Sequence, residues 1–388
     1  MKLRASIKSS SFTESVIREM TRLSDLHGAI NLSQGFPDFP APPEVKEAAR
    51  RAIAEDHNQY PITWGVPAFR QAIAASYAER YGIDADPETE ICVTCGSTEA
   101  VASSFLGLLD EDDEAVVFEP FYESYSPDAI LAGATLKYVT LRQPEWAFDP
   151  EELRAAFGPK TRAVIVNSPH NPTGKVFTVE ELTMIAELCI EHDAIAITDE
   201  IYEHITYDGR EHVPIATLPG MRERTVTVSA LSKSYSVTGW RVGWAVAQPA
   251  LMAGIRPTHD FLTVAAAAPL QIAGIAALAL PETYYATMVK EYAERRDVML
   301  RVLEEAGLGV AAPEGAYYVM ASIADLGLGD DVATATRFVE DIGVAVVPGS
   351  SFFSRPELGR EVVRFAFCKK LETLEAAGER LRSALRPG

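Results

Sequence analysis

Through the middle of the chain, short runs of apolar and β-branched residues alternate with longer stretches in which apolar positions recur every three or four residues. The short runs predict strands over 90–95, 115–119, 135–141, 163–167, 194–198, 225–229 and 242–247. The longer stretches predict helices, among them 99–109, 127–132 and 179–191. Strand and helix in alternation predict an α/β fold with an open, mostly parallel sheet between helices. Several of these strands are apolar almost throughout, as expected when both faces of a sheet are covered.

The pattern changes at both ends. Beyond about Pro281 a long helix at 282–305 leads into short strands at 315–321 and 362–367 and a final helix at 372–384, which together predict a smaller α+β unit. Ahead of the alternating region stand an amphipathic helix at 14–26 and a Pro-rich extended stretch at 35–43. The expected organisation is an N-terminal arm over 1–43 that joins the small domain, a large domain over 44–281 and a small C-terminal domain over 282–388. A length of 388 residues accords with more than one domain.

Composition narrows the partners. A hydrophobic share of 47% with 23% charged residues belongs to an ordinary globular protein. The net charge of -20 argues against nucleic acid or an anionic membrane surface, so an anionic ligand has to be held by local cations. Cys92 and Cys95 form a C-x-x-C spacing, but residues three apart on a strand point to opposite faces and no second pair completes a metal site. Cys92, Cys95, Cys189 and Cys368 are therefore expected as free thiols, with the cytoplasm as compartment. The opening MKLRASIKSS has no apolar stretch behind it, so no signal peptide is expected. The longest apolar run, 264–280, is interrupted by Pro269, Gln271 and Gly274 and predicts a buried helix.

Ligands of open α/β sheets bind beyond the carboxyl ends of the strands. At those positions stand Gly96-Ser97-Thr98, Asn171 in NSPHNPTG, Asp199 and Tyr202 in TDEIY, Ser232-Lys233, and Arg241 in GWRVG. Each suits a phosphorylated pyridine aldehyde. Free N–H groups at a helix start favour a phosphate, and Arg241 adds a bidentate cation. Asp199, buried at a strand end, needs a cation such as a protonated pyridine nitrogen. Lys233 is a candidate for a Schiff base, its pKa lowered by burial and nearby cations. Asn171 and Tyr202 can donate to a phenolic oxygen. Alone, most of these are turn or capping signals or surface charges; in this order, at strand ends, they point to one site.

The segments NLSQGFPDF, NQYPITWG, TCGSTEA, EPFYESY, NSPHNPTGKV, ITDEIY, SALSKSYSVTGWRVGW, PEGAYY, VPGSSF and VRFAFC carry a resemblance to the class I/II aminotransferases of fold type I, which use pyridoxal 5'-phosphate. It runs from about Asn31 to Arg380 and is greatest toward the kynurenine, glutamine and methionine aminotransferases. The resemblance implies that Lys233 carries the cofactor, Asp199 holds its ring nitrogen, and Asn171 with Tyr202 its phenolic oxygen. Ser97, Thr98 and Arg241 fall at the phosphate, and Tyr122 at the pyridine face. Tyr60 matches a tyrosine that reaches the neighbouring subunit's phosphate, which implies a homodimer with shared sites. Arg364 matches the residue that clamps the substrate α-carboxylate, with Gly35 against the same group. Two positions depart from the pattern. Ala230 stands where the family often has a serine bonding the phosphate, so Ser229 or Ser232 is expected to supply that hydroxyl. Val264-Ala265 are small where relatives often carry bulky residues.

The implied reaction exchanges an amino group between an amino acid and a 2-oxo acid, with Lys233 moving the α-proton. Neutral donors of methionine, glutamine, aromatic or kynurenine type are expected, with Ile17, Phe36, Trp64, Val264 and Tyr317 near the side chain and no cation among them. A pyridoxal phosphate β-lyase acting on cysteine conjugates is the nearest alternative. A cofactor-binding regulatory module is disfavoured by the acidity and the lack of a DNA-binding segment. No G-x-G-x-x-G follows the first strand, which disfavours a nicotinamide dehydrogenase.

Overall fold

The computed structural model describes residues 5–386; the extremities of the chain, and with them the outer ends of the expected 1–43 and 282–388 segments, lie outside the described residues. The seven predicted strands of the middle region form one sheet. In chain order they are β1 (Ile91–Thr94), β2 (Glu114–Glu119), β3 (Thr135–Thr140), β4 (Thr161–Asn167), β5 (Ile195–Asp199), β6 (Thr225–Ala230) and β7 (Gly243–Val246). Their order across the sheet is β1-β7-β6-β5-β4-β2-β3. From β6 to β3 every pairing is parallel, whereas β7 runs antiparallel to both its neighbours.

The reversed strand decides what meets at the site. β1, β4, β5 and β6 all end at one edge, and β7 begins there. Arg241, two residues before β7, is thus brought beside residues that follow the other strands. The fit is close: a Cβ on Gly243 would lie 2.5 Å from the Ser97 backbone nitrogen.

Both faces of the sheet are covered, as the apolar strands predict. Val116, Phe118, Val164 and Val166 pack on one side with Leu182 and Ile185. Val117, Ile165 and Ile197 pack on the other with Phe105 and Met252. Alternate residues of β2 and β4 thereby enter opposite cores, following the pleat. The helix Val179–Glu191 has the predicted bounds and opens with a capping box of Thr178 and Glu181. Helices Pro43–Ala54, Pro67–Tyr81, Pro150–Ala156 and Pro249–Thr263 were not expected from the pattern; each opens with proline, whose fixed φ and missing N–H suit a first helical turn. The apolar run expected as one helix over 264–280 forms a helix only over Ala268–Leu278.

The C-terminal region contains the helix Glu282–Glu305 and a four-stranded antiparallel sheet. Its strands are β8 (Gly309–Val310), β9 (Tyr318–Ser322), β10 (Val347–Pro348) and β11 (Val362–Ala366), in the order β10-β11-β9-β8. The strand expected from 315 starts only at Tyr318. The N-terminal segment joins this region: Ile30 and Asn31 pair in parallel with Val344 and Ala345, and the Ala366 N–H donates to the Leu32 carbonyl at 2.8 Å. This attachment lays Gly35 and Phe36 across the edge where the large sheet ends. No single helix among the described residues is long and apolar enough to cross a membrane.

Candidate active site

A cavity of about 400 Å3 lies at that edge, between the ends of the large sheet, the N-terminal segment and strands β9 and β11. The turn after β1 is tight. Gly96 has φ +84°, and a Cβ there would lie 2.3 Å from the Arg241 Nη2. The helix Ser97–Leu108 follows with no side-chain cap, so its first N–H groups are free to meet an anion. Arg241 lies over this turn; its Nη1 donates to the Thr238 carbonyl at 3.1 Å, and Thr98 Oγ1 is 3.5 Å from Nη2.

Asp199 ends β5 and is buried. Its Oδ2 accepts the Tyr125 hydroxyl at 2.8 Å. Burial pushes its pKa up to about 6, against the pull of Tyr125, the Ile201 N–H and Lys233. Lys233 lies in the single helical turn Leu231–Ser234 after β6. Its Nζ donates to the Gly35 carbonyl at 3.0 Å and stands 5.6 and 5.4 Å from the Tyr202 and Tyr317 ring centres. Burial pushes its pKa down to about 8; Arg241 and Arg364 work in the same direction. Arg364, buried on β11, donates from Nη1 to Asn171 Oδ1 at 2.8 Å and from Nη2 to the Ser33 carbonyl at 2.5 Å. Tyr318 shares a hydrogen bond with Tyr202 at 3.0 Å and lies against the Arg364 guanidinium at 4.3 Å.

The cavity brings together Gly35, Ser97, Thr98, Tyr122, Asn171, Asp199, Tyr202, Ser232, Lys233, Arg241 and Arg364, along with Ile17 and Phe36. Ser229 donates to Glu203 at 2.6 Å, whereas the buried Ser232 Oγ has no partner among the described residues. Of the two serines near Ala230, Ser232 is the one left with a hydroxyl for a ligand. Four expected residues lie elsewhere. Tyr60 is 85% exposed, and Val264 is exposed with φ +68°. Trp64 stands beneath the Arg256 guanidinium at 5.0 Å. Tyr317 is buried behind the wall, its hydroxyl donating to the Gly35 carbonyl at 2.9 Å.

One expectation is corrected: the wall does carry a further cation, Arg18, with Glu123 nearby. Ser15 caps the helix Val16–His27 and its hydroxyl also bonds Glu123, which fixes the first turn, and Arg18 with it, at the cavity mouth. Tyr125 and Tyr318 were missed as well. Both occur in motifs visible in the sequence, EPFYESY and PEGAYY, but their partners Asp199 and Tyr202 are chosen by tertiary packing.

These groups fit pyridoxal phosphate. A buried acid without a full cationic partner suits a ring nitrogen, and an uncapped helix start, Arg241 and the unpaired Ser232 hydroxyl suit a phosphate. The ligand-free chain has a measurable signature of that arrangement. Asp199 titrates higher folded than unfolded, so its stabilising contribution is present below the unfolded value and is lost as pH rises through about 6. Asp199→Asn, uncharged throughout, should stabilise the ligand-free chain near neutral pH by on the order of 1–3 kcal/mol, with the gain vanishing toward pH ~4. Calorimetric melting at the two pH values checks this; a variant less stable than the parent at neutral pH contradicts it.

The chain matches the family described as Aminotransferase class I and II over residues 27–381. It is 40% identical over 381 residues to a probable N-succinyldiaminopimelate aminotransferase, DapC, of Mycobacterium tuberculosis, covering 95% of this chain and 96% of that one. It is 37% identical to the kynurenine–oxoglutarate transaminase 3 of Mus musculus, covering 94% and 87%. Among solved structures it resembles YbdL from Escherichia coli, a protein with a methionine aminotransferase function, with a TM-score of 0.94 at 35% identity over 98% of this chain and 100% of that one. Site geometry, sheet topology and these likenesses agree, and the chain belongs to the class I and II aminotransferases, pyridoxal phosphate-dependent enzymes of fold type I.

Proposed function

We propose that this enzyme moves the amino group of neutral L-amino acids, of methionine, glutamine, aromatic or kynurenine type, to a 2-oxo acid. The observation that carries the reading is Lys233, a half-buried amine with a lowered pKa on the same cavity wall as Asp199 and Arg364. Pyridoxal phosphate supplies an aldehyde that condenses with amines and a ring that draws electrons from the substrate Cα when its nitrogen is protonated. Lys233 would hold the cofactor through its amine and, when that amine is free, would take the substrate α-proton and give it back as general acid. Asp199 would keep the ring nitrogen protonated. Asn171 and Tyr202 would donate to the phenolic oxygen, with Tyr122 as the aromatic neighbour of the ring. Ser97, Thr98, Ser232 and Arg241 would hold the phosphate. Arg364 takes the α-carboxylate through its planar fork, with Gly35 alongside.

Support for neutral donors comes from how the cations of the cavity are used. Lys233, Arg241 and Arg364 have tasks, and Arg18 is exposed at the mouth. An exposed cation attracts a distal carboxylate weakly, whereas burying that carboxylate unpaired costs several kcal/mol. The active form in this reading is a cytoplasmic homodimer, with Tyr60 reaching the other subunit's phosphate. Tyr60, Ile62, Phe261, Leu262 and Val264 are large apolar groups left exposed on a single chain, which suits a face covered by a second copy.

Borohydride trapping of the cofactor should label Lys233, and its reaction rate with the ligand-free chain should rise with pH through about 8, as the amine loses its proton. Lys233→Ala should lose α-proton transfer by several orders of magnitude; label on another lysine refutes the role. Among substrates, kcat/KM should rank neutral side chains shallowly, by about 1–3 kcal/mol per methylene, with aspartate below all of them. Aspartate coming first, with that preference abolished by Arg18→Met, would show the neutral-donor reading to be wrong. In mixed dimers of a Tyr60→Phe chain with a Lys233→Ala chain, both lesions fall in one site, so about half the activity should return through the other. No recovery would contradict shared sites.

A further inference from the structure

Behind the phosphate end of the cavity lies an ion pair with no part in the chemistry described so far. Glu99 is the third residue of the helix Ser97–Leu108. A carboxylate at that position commonly turns back to the helix's own first N–H groups. Here it is held away from them. Glu99 Oε2 accepts the Cys95 N–H, and Oε1 accepts the Thr263 hydroxyl at 2.7 Å and His259 Nδ1 at 2.6 Å. The other ring nitrogen, His259 Nε2, stands 2.8 Å from the Thr63 carbonyl. Both nitrogens of His259 thus face acceptors, a carboxylate and a carbonyl, and the ring satisfies both only as the doubly protonated cation. Its side chain is fully buried and that of Glu99 is 9% exposed. The pair holds together against burial, with the acid shifted down and the imidazole up.

An uncompensated carboxylate on the first turn would repel a phosphate at the same helix start and compete for its N–H groups. We propose that Glu99 and His259 are positioning residues for the cofactor's phosphate: the buried imidazolium neutralises Glu99 and turns it outward, leaving the N–H groups of Ser97 and Thr98 to the phosphate. Through Thr63 the same imidazolium is fastened to the segment that carries Tyr60. Arg241 on the cavity side, Asp260 beside His259 and Arg256 one turn before it on the same helix are further charges in this region. The inference rests on the reading that places the phosphate at Ser97, Thr98 and Arg241.

The test compares equilibrium binding of pyridoxal phosphate and of pyridoxal, which lacks the phosphate, to the ligand-free full-length chain. His259→Gln strands the carboxylate and should weaken pyridoxal phosphate roughly tenfold, with pyridoxal changed by less than about twofold. Adding Glu99→Gln to that variant removes the stranded charge and should restore most of the loss, which a merely structural defect would not do. Thr263→Val removes one donor from the same carboxylate at an exposed position and should shift the preference the same way, roughly threefold; it decides the matter if His259→Gln does not fold. Equal weakening of both ligands, an unchanged preference, or no recovery in the double variant overturns the proposal. Arg241→Leu separates the two levels. If it lowers the preference for the phosphorylated ligand and the His259 variant does not, only this inference fails; if Arg241→Leu leaves the preference intact, the location of the phosphate fails with it.

Discussion

A carboxyl group buried at the end of β5 sets the terms for everything around it. Asp199 has a tyrosine hydroxyl and a backbone N–H for company, which together do not outweigh the loss of water, so its pKa stands near 6. A fold that only needed to be stable would place an apolar residue there. The lysine at the end of the neighbouring strand is perturbed in the opposite sense, down to about 8. The two groups share one cavity wall, and burial withholds full charge from each. A ligand with a cationic nitrogen and a reactive carbonyl answers both at once, which ties cofactor binding to the strain-free ionisation of the site.

Much of this was legible in the sequence, because the features concerned are local or periodic. Seven strands were found because β-branched apolar runs are dense where a sheet is covered on both faces. The residues at strand ends could be listed because a mostly parallel sheet puts its carboxyl ends on one edge. Lys233 and Asp199 needed no more than that, whereas Arg241 precedes β7 and reaches the same edge because that strand is reversed. Helices opened by proline were overlooked, since proline weighs against a helix unless its first-turn role is recognised. Tyr60 and Val264 could not be placed in the cavity of one chain, where both are exposed. Their expected roles involve a second copy or a bend that periodicity does not encode.

Contacts between remote side chains were the least legible. Nothing in EPFYESY says that Tyr125 rather than Tyr122 would reach Asp199, and nothing near His259 says that it would meet Glu99. Arg18 escaped notice because it sits on an amphipathic helix whose polar face predicts solvent. Its position at the cavity mouth follows from the Ser15 cap and the Glu123 contact, which are made in three dimensions.

The pairing of Ile30 and Asn31 with Val344 and Ala345 has a bearing on how the enzyme is born. A ribosome releases the N-terminal segment long before the strand that receives it. Gly35, which meets the Lys233 amine, and the backbone of Ser33, which meets Arg364, therefore wait without partners until nearly the whole polypeptide has emerged. The large sheet can assemble early, but its ligand-binding edge is closed only by contacts between the two ends of the chain. A truncated translation product would present that edge without Tyr318 or Arg364, and with Gly35 not yet laid across it.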